Sequence, residues 1–161
     1  MEKKYHVLCK ILQMVSVIVA PVGIVTVWFD FLPLPISWWF SWLICIVLLA
    51  VGIYIFALSR REFARSGQKL TPKAYGTSKL MTGGIYSVIR HPHNLASVLI
   101  NLGIAFGFKS TIGLVIAVAS IIVGYWFTLE EEKLLIQQFG DRYREYKARV
   151  PMFLPKLRRR G

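Results

Sequence analysis

The sequence predicts an all-α polytopic membrane protein, with four transmembrane helices in two hairpins and a cytoplasmic amphipathic C-terminal helix. Of its 161 residues, 55% are hydrophobic and only 17% are charged, whereas about a quarter of the residues in a soluble domain are charged. The apolar residues form long blocks, and basic residues flank these blocks. These observations favour a single membrane domain, residues 1–161, over a soluble core.

The basic residues are distributed as in a membrane protein. A net charge of +12 in a soluble protein would suggest nucleic-acid binding. Here, however, lysines and arginines cluster at 3–10, 60–90 and 133–160. Such flanking clusters follow the positive-inside rule and attract anionic headgroups. We therefore expect membrane lipids as partners and no nucleic acid.

The first predicted hairpin consists of spans at about 6–29 and 36–58, each long enough for a hydrocarbon core of ~30 Å. The turn between them contains Asp30 and two prolines but no basic residue. Tryptophans surround this turn, as in an aromatic belt at a membrane interface. They are Trp28, Trp38, Trp39 and Trp42.

The second predicted hairpin has spans at about 94–108 and 111–129, joined by a turn at Lys109 and Ser110. The first of these contains about 15 residues, or ~22 Å of helix, which is short for a full crossing. This shortness draws Arg90, His91 and Asn94 toward the edge of the hydrocarbon region.

With four spans, the N-terminus, the middle segment 59–92 and the C-terminus share one side of the membrane. That side holds every lysine and arginine except Lys109, so it is predicted to be the cytoplasm. The expected location is a multi-pass integral membrane protein with both termini cytoplasmic, in the cell membrane of a prokaryote or the endoplasmic reticulum of a eukaryote.

The composition changes after Leu129, and residues 130–149 are predicted to form the amphipathic helix. Gly140 is a mild helix breaker, so a bend is expected there. The apolar positions recur at intervals of three or four residues, which is the period of one helix face. They are Leu135, Phe139, Tyr143, Tyr146 and Val150.

Two polar clusters fall at the cytoplasmic end of the second hairpin: Arg90-His91 and Glu130-Glu131-Glu132. Each alone has an ordinary explanation, as a topological anchor and as the acidic first turn of a helix capped at Thr128. Together they would border a pocket suited to a zwitterionic ligand with a large flat apolar part. No metal is predicted, because His91-x-His93 lacks a third ligand nearby and the chain has no Cys-x-x-Cys pair.

Two ordered motifs carry a family resemblance. The first is Leu80-x-x-x-Gly84-x-Tyr86-x-x-x-Arg90-His91-Pro92. The second is Glu131-Glu132-x-x-Leu135-x-x-x-Phe139-Gly140-x-x-Tyr143-x-x-Tyr146-x-x-x-Val150-Pro151-x-x-Leu154-Pro155. Over about residues 78–155, the chain resembles the isoprenylcysteine carboxyl methyltransferases and their phospholipid methyltransferase relatives. These are integral membrane enzymes that use S-adenosylmethionine.

The resemblance implies that residues 78–155 form the cofactor-binding half and that Arg90 and His91 are catalytic residues bordering the pocket. Tyr146 is implied in the segment that covers the pocket. Where the family usually has a tyrosine and a glycine, this chain has Asn94 and Ala96. The cofactor-binding residues implied are Tyr86, His91, Asn94, Glu131, Glu132, Phe139 and Tyr143.

The function expected from this resemblance is methyl transfer from S-adenosylmethionine to a lipid-like or prenylated acceptor, similar to isoprenylcysteine carboxyl methylation. Phospholipid N-methylation of the phosphatidylethanolamine type is the main alternative. A four-span transporter or a non-catalytic membrane scaffold is the alternative of another class. The sequence carries no signature of the acceptor or of an oligomeric state.

Overall fold

A computed structural model describes residues 33–66 and 79–155. The predicted span 6–29, part of the middle segment (67–78) and the tail 156–161 lie outside the described residues. Within them the fold is all-α, as predicted, with one isolated β-bridge between Pro33 and Ser110. The helices are α1 (Trp38–Arg65), a short 3-10 helix (Gly84–Ser87), α2 (Pro92–Gly107), α3 (Thr111–Phe139) and α4 (Asp141–Arg149).

In the described residues, α1 and α3, with 28 and 29 residues, are long and apolar enough to cross a membrane. Helix α1 covers residues 38–58 of the predicted span 36–58, and α3 covers the whole predicted span 111–129. Only 17% and 22% of the most apolar stretches of α1 and α3 are buried inside the protein, so most of these side chains are exposed or half-buried. Helix α2 has 16 residues, or ~24 Å, and is shorter than a hydrocarbon core of ~30 Å.

Helix α2 packs antiparallel along α1 through glycines. A Cβ atom added to Gly52 would lie 2.8 Å from Ile100 Cγ1 and 3.2 Å from the Ala96 carbonyl oxygen. A Cβ atom added to Gly103 would lie 3.3 Å from the Cys45 carbonyl oxygen. Small residues at these contacts let the two backbones approach closely, as in other membrane helix pairs.

The α2–α3 turn lies against the start of α1. The Leu34 amide donates to the Lys109 carbonyl oxygen at 2.7 Å, and the Lys109 ammonium lies 4.7 Å from the centre of the Trp38 ring. Ser110 begins α3 as its N-cap, since its hydroxyl accepts a hydrogen bond from the Gly113 amide at 2.9 Å. The exposed tryptophans Trp38, Trp39 and Trp42 are at this end of the molecule.

At the opposite end, α3 does not stop after Leu129 but continues to Phe139. The helix predicted at 130–149 is therefore divided at Gly140, whose φ of +59° is favoured by glycine. Because α3 has no free N-terminus at Thr128, the capping explanation for the acidic residues does not apply. The Thr128 hydroxyl instead donates back to the Gly124 carbonyl oxygen at 2.8 Å.

After α4, residues 150–155 return across the start of α2; we call them the C-terminal strap. The Arg90 amide donates to the Pro151 carbonyl oxygen at 2.9 Å, and the His91 amide donates to the Met152 carbonyl oxygen at 3.2 Å. The strap thus fixes the backbone immediately before α2.

Helix α4 is attached to the rest of the protein through an aromatic core and a chain of hydrogen bonds. The Tyr146 hydroxyl donates to the Tyr86 carbonyl oxygen at 2.6 Å, and the Tyr86 hydroxyl lies 2.8 Å from the Ser59 hydroxyl. These contacts join α1, the 3-10 helix and α4. The core consists of Tyr143, Tyr146 and Val150, packed against Leu80, Leu135, Ile136 and Phe139.

Candidate functional site

A buried ion pair forms the centre of the candidate site. Arg90 Nη1 lies 2.6 Å from Glu132 Oε1, and the two side chains are only 8% and 1% exposed. The strap holds Arg90 on one side, while the unbroken α3 brings Glu132 to it from the other. The hairpin therefore brings together the two polar motifs, as the sequence predicted.

Glu132 has two further partners. Its Oε1 atom lies 3.3 Å from His91 Nε2, and its Oε2 atom lies 2.6 Å from Lys147 Nζ on α4. A buried carboxylate is tolerated only when it is paired and hydrogen-bonded in this way. Lys147 was not predicted from the sequence, where it resembles any other basic residue of a cytoplasmic helix.

Glu131 is the more accessible of the two acids. Its side chain is 19% exposed, and its Oε2 atom lies 3.7 Å from His91 Nδ1. The imidazole of His91 thus faces a carboxylate at each ring nitrogen. We refer to Arg90, His91, Glu131, Glu132 and Lys147 together as the polar cluster.

One helical turn further into the bundle, Asn94 Nδ2 donates to Thr128 Oγ1 at 2.9 Å. Asn94 is therefore close to the polar cluster, although its amide is engaged by Thr128. From the sequence, Thr128 was expected only as a possible helix cap. Thr128 lies four residues before Glu132, which places both on one face of a continuous helix. This spacing could have predicted that Thr128 faces Asn94 beside the polar cluster.

Of the predicted aromatic residues, Phe139 and Tyr143 belong to the aromatic core of α4, and Tyr86 is joined to it by the hydrogen bond from Tyr146. Tyr86 and Tyr143 are buried, and Phe139 packs against Tyr143. Burial raises the pKa of Tyr86. Burial, together with the charge of the Glu132 carboxylate, raises the pKa of Tyr143, so both phenols are neutral at physiological pH.

Four buried polar atoms in this region lack a hydrogen bond with the described residues, but two of them, Arg90 Nη1 and Glu132 Oε2, lie in the ion pairs described above. The other two are Arg90 Nε and the Tyr143 hydroxyl oxygen. Buried donors are rarely left without a partner in folded proteins. Since both groups can donate, they suit an acceptor such as a carboxylate oxygen or a water molecule.

His93, which the sequence analysis weighed with His91 as a metal ligand, turns away from the polar cluster. Its ring centre lies 5.2 Å from that of Phe56 on α1. Among the residues that the structure describes, no three His, Cys, Asp or Glu side chains could hold a metal ion together. The absence of a metal remains a prediction.

Comparison with known proteins points to one family. The sequence model of the phospholipid methyltransferase family matches residues 40–142. A methanethiol S-methyltransferase of Pseudomonas deceptionensis is 38% identical over 80 residues, covering 47% of this chain and 28% of that protein. Methanethiol S-methyltransferase 2 of Bradyrhizobium diazoefficiens is 31% identical over 129 residues, covering 74% and 44%. The chain thus spans less than half the length of these two relatives.

Proposed function

The chain belongs to the phospholipid methyltransferase family, and we propose that it is an integral membrane methyltransferase that uses S-adenosylmethionine. The observation that carries this proposal is the buried pairing of Arg90 and His91 with Glu132. These residues belong to two separate motifs, and all three fall inside the region that matches the family.

The polar cluster offers groups that fit this cofactor, which carries an ammonium, a carboxylate and ribose hydroxyls. Glu131, partly exposed, would bind the ammonium or the hydroxyls. Arg90 Nε and the Tyr143 hydroxyl, both without hydrogen-bond partners in the described residues, would donate to the carboxylate. Glu132 would act indirectly, by holding Arg90 and His91 in place.

When bound, S-adenosylmethionine supplies an electrophilic methyl group on a positively charged sulfur. The carboxylates of Glu131 and Glu132 would favour positive charge at the site. His91 would accept the proton that a thiol or ammonium acceptor must lose. Its two neighbouring carboxylates would stabilise the imidazolium formed.

For the acceptor, we propose a lipid-like or membrane-embedded molecule that enters laterally from the bilayer. Carboxyl methylation of the isoprenylcysteine type and N-methylation of a phospholipid amine are the two forms of this proposal. A small thiol is a second candidate, supported by the names of the two relatives. A His91 base is needed for a thiol or an amine but not for a carboxylate.

The proposed topology has four spans, with the polar cluster on the cytoplasmic side. Helix α4 supports this orientation because it is short and strongly polar, so it suits water rather than hydrocarbon. Its basic residues are Arg142, Arg144, Lys147 and Arg149.

Cofactor binding by the purified full chain in detergent tests the proposal. Glu131→Gln and Arg90→Gln should each weaken S-adenosylmethionine binding at least about tenfold, equivalent to ~1.4 kcal/mol. Glu145→Gln is the matched control, since Glu145 is 73% exposed on α4. If the wild-type chain shows no saturable binding, the enzyme proposal fails and a transporter or scaffold is favoured. If binding survives the double change at Glu131 and Glu132, the pocket lies elsewhere.

Transfer of a labelled methyl group to three acceptors separates the acceptor classes: methanethiol, phosphatidylethanolamine vesicles and a prenylated cysteine. His91→Gln should abolish transfer to the thiol or the amine while leaving transfer to a carboxylate measurable. Equal losses for all three acceptors would contradict a role for His91 as the base.

A further inference from the structure

An open groove of about 570 Å³ runs between the second half of α1 and the C-terminal strap. Its volume lies within the range of ~300–1,000 Å³ that is typical of small-molecule sites. The walls are largely apolar and come from four parts of the chain. They include Tyr54, Leu58, Ile85, Val88, Leu95 and Leu154.

One end of the groove is charged. Arg61, Glu62 and Arg65 lie there, in the last two turns of α1. Arg65 Nη1 is 3.4 Å from Glu62 Oε1, and the arginine side chain is 59% exposed. Arg61 has no ion pair with any described residue. Two arginines against one glutamate leave this end with a net positive charge.

The register of α1 against α2 shows at which level along the helices the groove lies. Phe56 contacts His93, and Gly52 faces Ala96. Because the helices are antiparallel, Arg61 lies at about the level of residues 88–90, close to the start of α2. The apolar part of the groove therefore runs along the membrane-crossing part of α1, and the arginines lie at the level of the polar cluster.

We infer that this groove binds one acyl chain of an anionic membrane phospholipid, whose phosphate pairs with Arg61 and Arg65. An apolar channel at membrane depth that ends in cationic side chains matches the two parts of such a lipid. A neutral small molecule would leave Arg61 without a counter-ion among the described residues, whereas Arg65 already pairs with Glu62. Such lipid binding is distinct from the proposed methyl transfer. It does not require that the bound lipid is methylated.

A lipid bound here would also contact the strap. Phe153 lines the groove, and its ring centre lies 6.3 Å from that of His91. The adjacent Met152 carbonyl oxygen accepts the hydrogen bond from the His91 amide. The lipid chain would thus pack against the same segment that holds the beginning of α2.

Native mass spectrometry of the full chain, without cofactor, measures this binding. The probes are phosphatidylglycerol and phosphatidylcholine with identical acyl chains. Arg61→Gln with Arg65→Gln should weaken phosphatidylglycerol binding by about fivefold per arginine. It should weaken phosphatidylcholine binding less, because the choline ammonium of that lipid offsets the charge of its phosphate. Arg142→Gln with Arg144→Gln is the matched control, because Arg144 forms the same type of exposed (i,i+3) pair with Asp141.

Leu58→Trp fills the groove and should weaken binding of both lipids, whereas Val118→Trp on the exposed face of α3 should not. Retention of the phosphatidylglycerol preference in the double arginine variant would overturn the inference. So would unchanged lipid binding in a folded Leu58→Trp protein. Because S-adenosylmethionine is absent, a negative result here is independent of the enzyme proposal.

Discussion

Replacing Glu132 with glutamine removes the counter-ion of a buried arginine. Arg90 is 8% exposed and pairs with Glu132 at 2.6 Å, while Glu132 itself is 1% exposed. Breaking a buried pair by neutralising one partner costs about 3–5 kcal/mol, because the remaining charge stays in a poorly solvated site. For a chain of this size, this corresponds to roughly 6–20 °C in melting temperature.

Thermal unfolding of the full chain in detergent, followed by circular dichroism, measures this loss. Glu130→Gln is the matched control, because it makes the same chemical change two residues away. In the Glu130 pair with Lys133 the lysine is 65% exposed and the glutamate 18% exposed, so the pair is in contact with solvent and contributes about 1 kcal/mol. The two variants should therefore differ by several degrees or more.

A further variant, Glu132→Leu with Arg90→Leu, removes both charges of the central pair. It should recover part of the stability lost in Glu132→Gln, because no arginine is left buried without a counter-ion. Glu130→Gln is expected to lose no more than about 1 kcal/mol of stability relative to the wild type. If Glu132→Gln loses as little, the buried ion pair does not stabilise the fold as we infer.

Three other perturbations have defined outcomes. Gly52→Ala should destabilise the chain by about 1–3 kcal/mol in thermal unfolding, because its Cβ would lie 2.8 Å from Ile100 Cγ1; Gly83→Ala, with nothing within 4 Å, should not. Gly140→Ala should cost about 1–3 kcal/mol through backbone strain alone, since φ is +59° and no atom lies within 4 Å of its Cβ; an unchanged melting temperature would contradict this. The stability should fall as the pH rises above about 10, because the raised pKa of Tyr143 makes the folded state bind more protons than the unfolded state. Tyr143→Phe should make this fall less steep, and an equal slope would exclude Tyr143 as its cause.

The sequence was informative wherever hydrophobicity determined the structure. The predicted boundaries 94–108 differ by only two residues or fewer from the observed α2, Pro92–Gly107. The juxtaposition of Arg90 with Glu132 followed from the predicted hairpin and needed no detailed packing. Both inferences depend on the length of apolar blocks, which can be read directly.

The change of composition after Leu129 is not the start of a separate helix, for a physical reason. The composition changes there from apolar to charged, but glutamate, lysine and leucine are all good helix formers. The helical backbone therefore continues where the sequence changes from apolar to charged, and α3 ends only at Phe139. Two contacts could not be predicted: the ion pair of Lys147 with Glu132 and the hydrogen bond from Tyr146 to Tyr86. Both depend on how α4 folds back against the other helices, which no local sequence pattern specifies.

The continuity of α3 links the site mechanically to the bilayer. Thr111 and Glu132 belong to one rod, and the distance along it between them is roughly 32 Å. A helix adjusts its tilt to the thickness of the surrounding hydrocarbon, and a change of ~10° would displace Glu132 sideways by roughly 5 Å. Arg90 lies on another element, the segment before α2, which packs along α1, so a tilt of α3 that α2 did not follow would change its distance from Glu132. Lipid chain length is thus a variable that acts on the separation of the two charges.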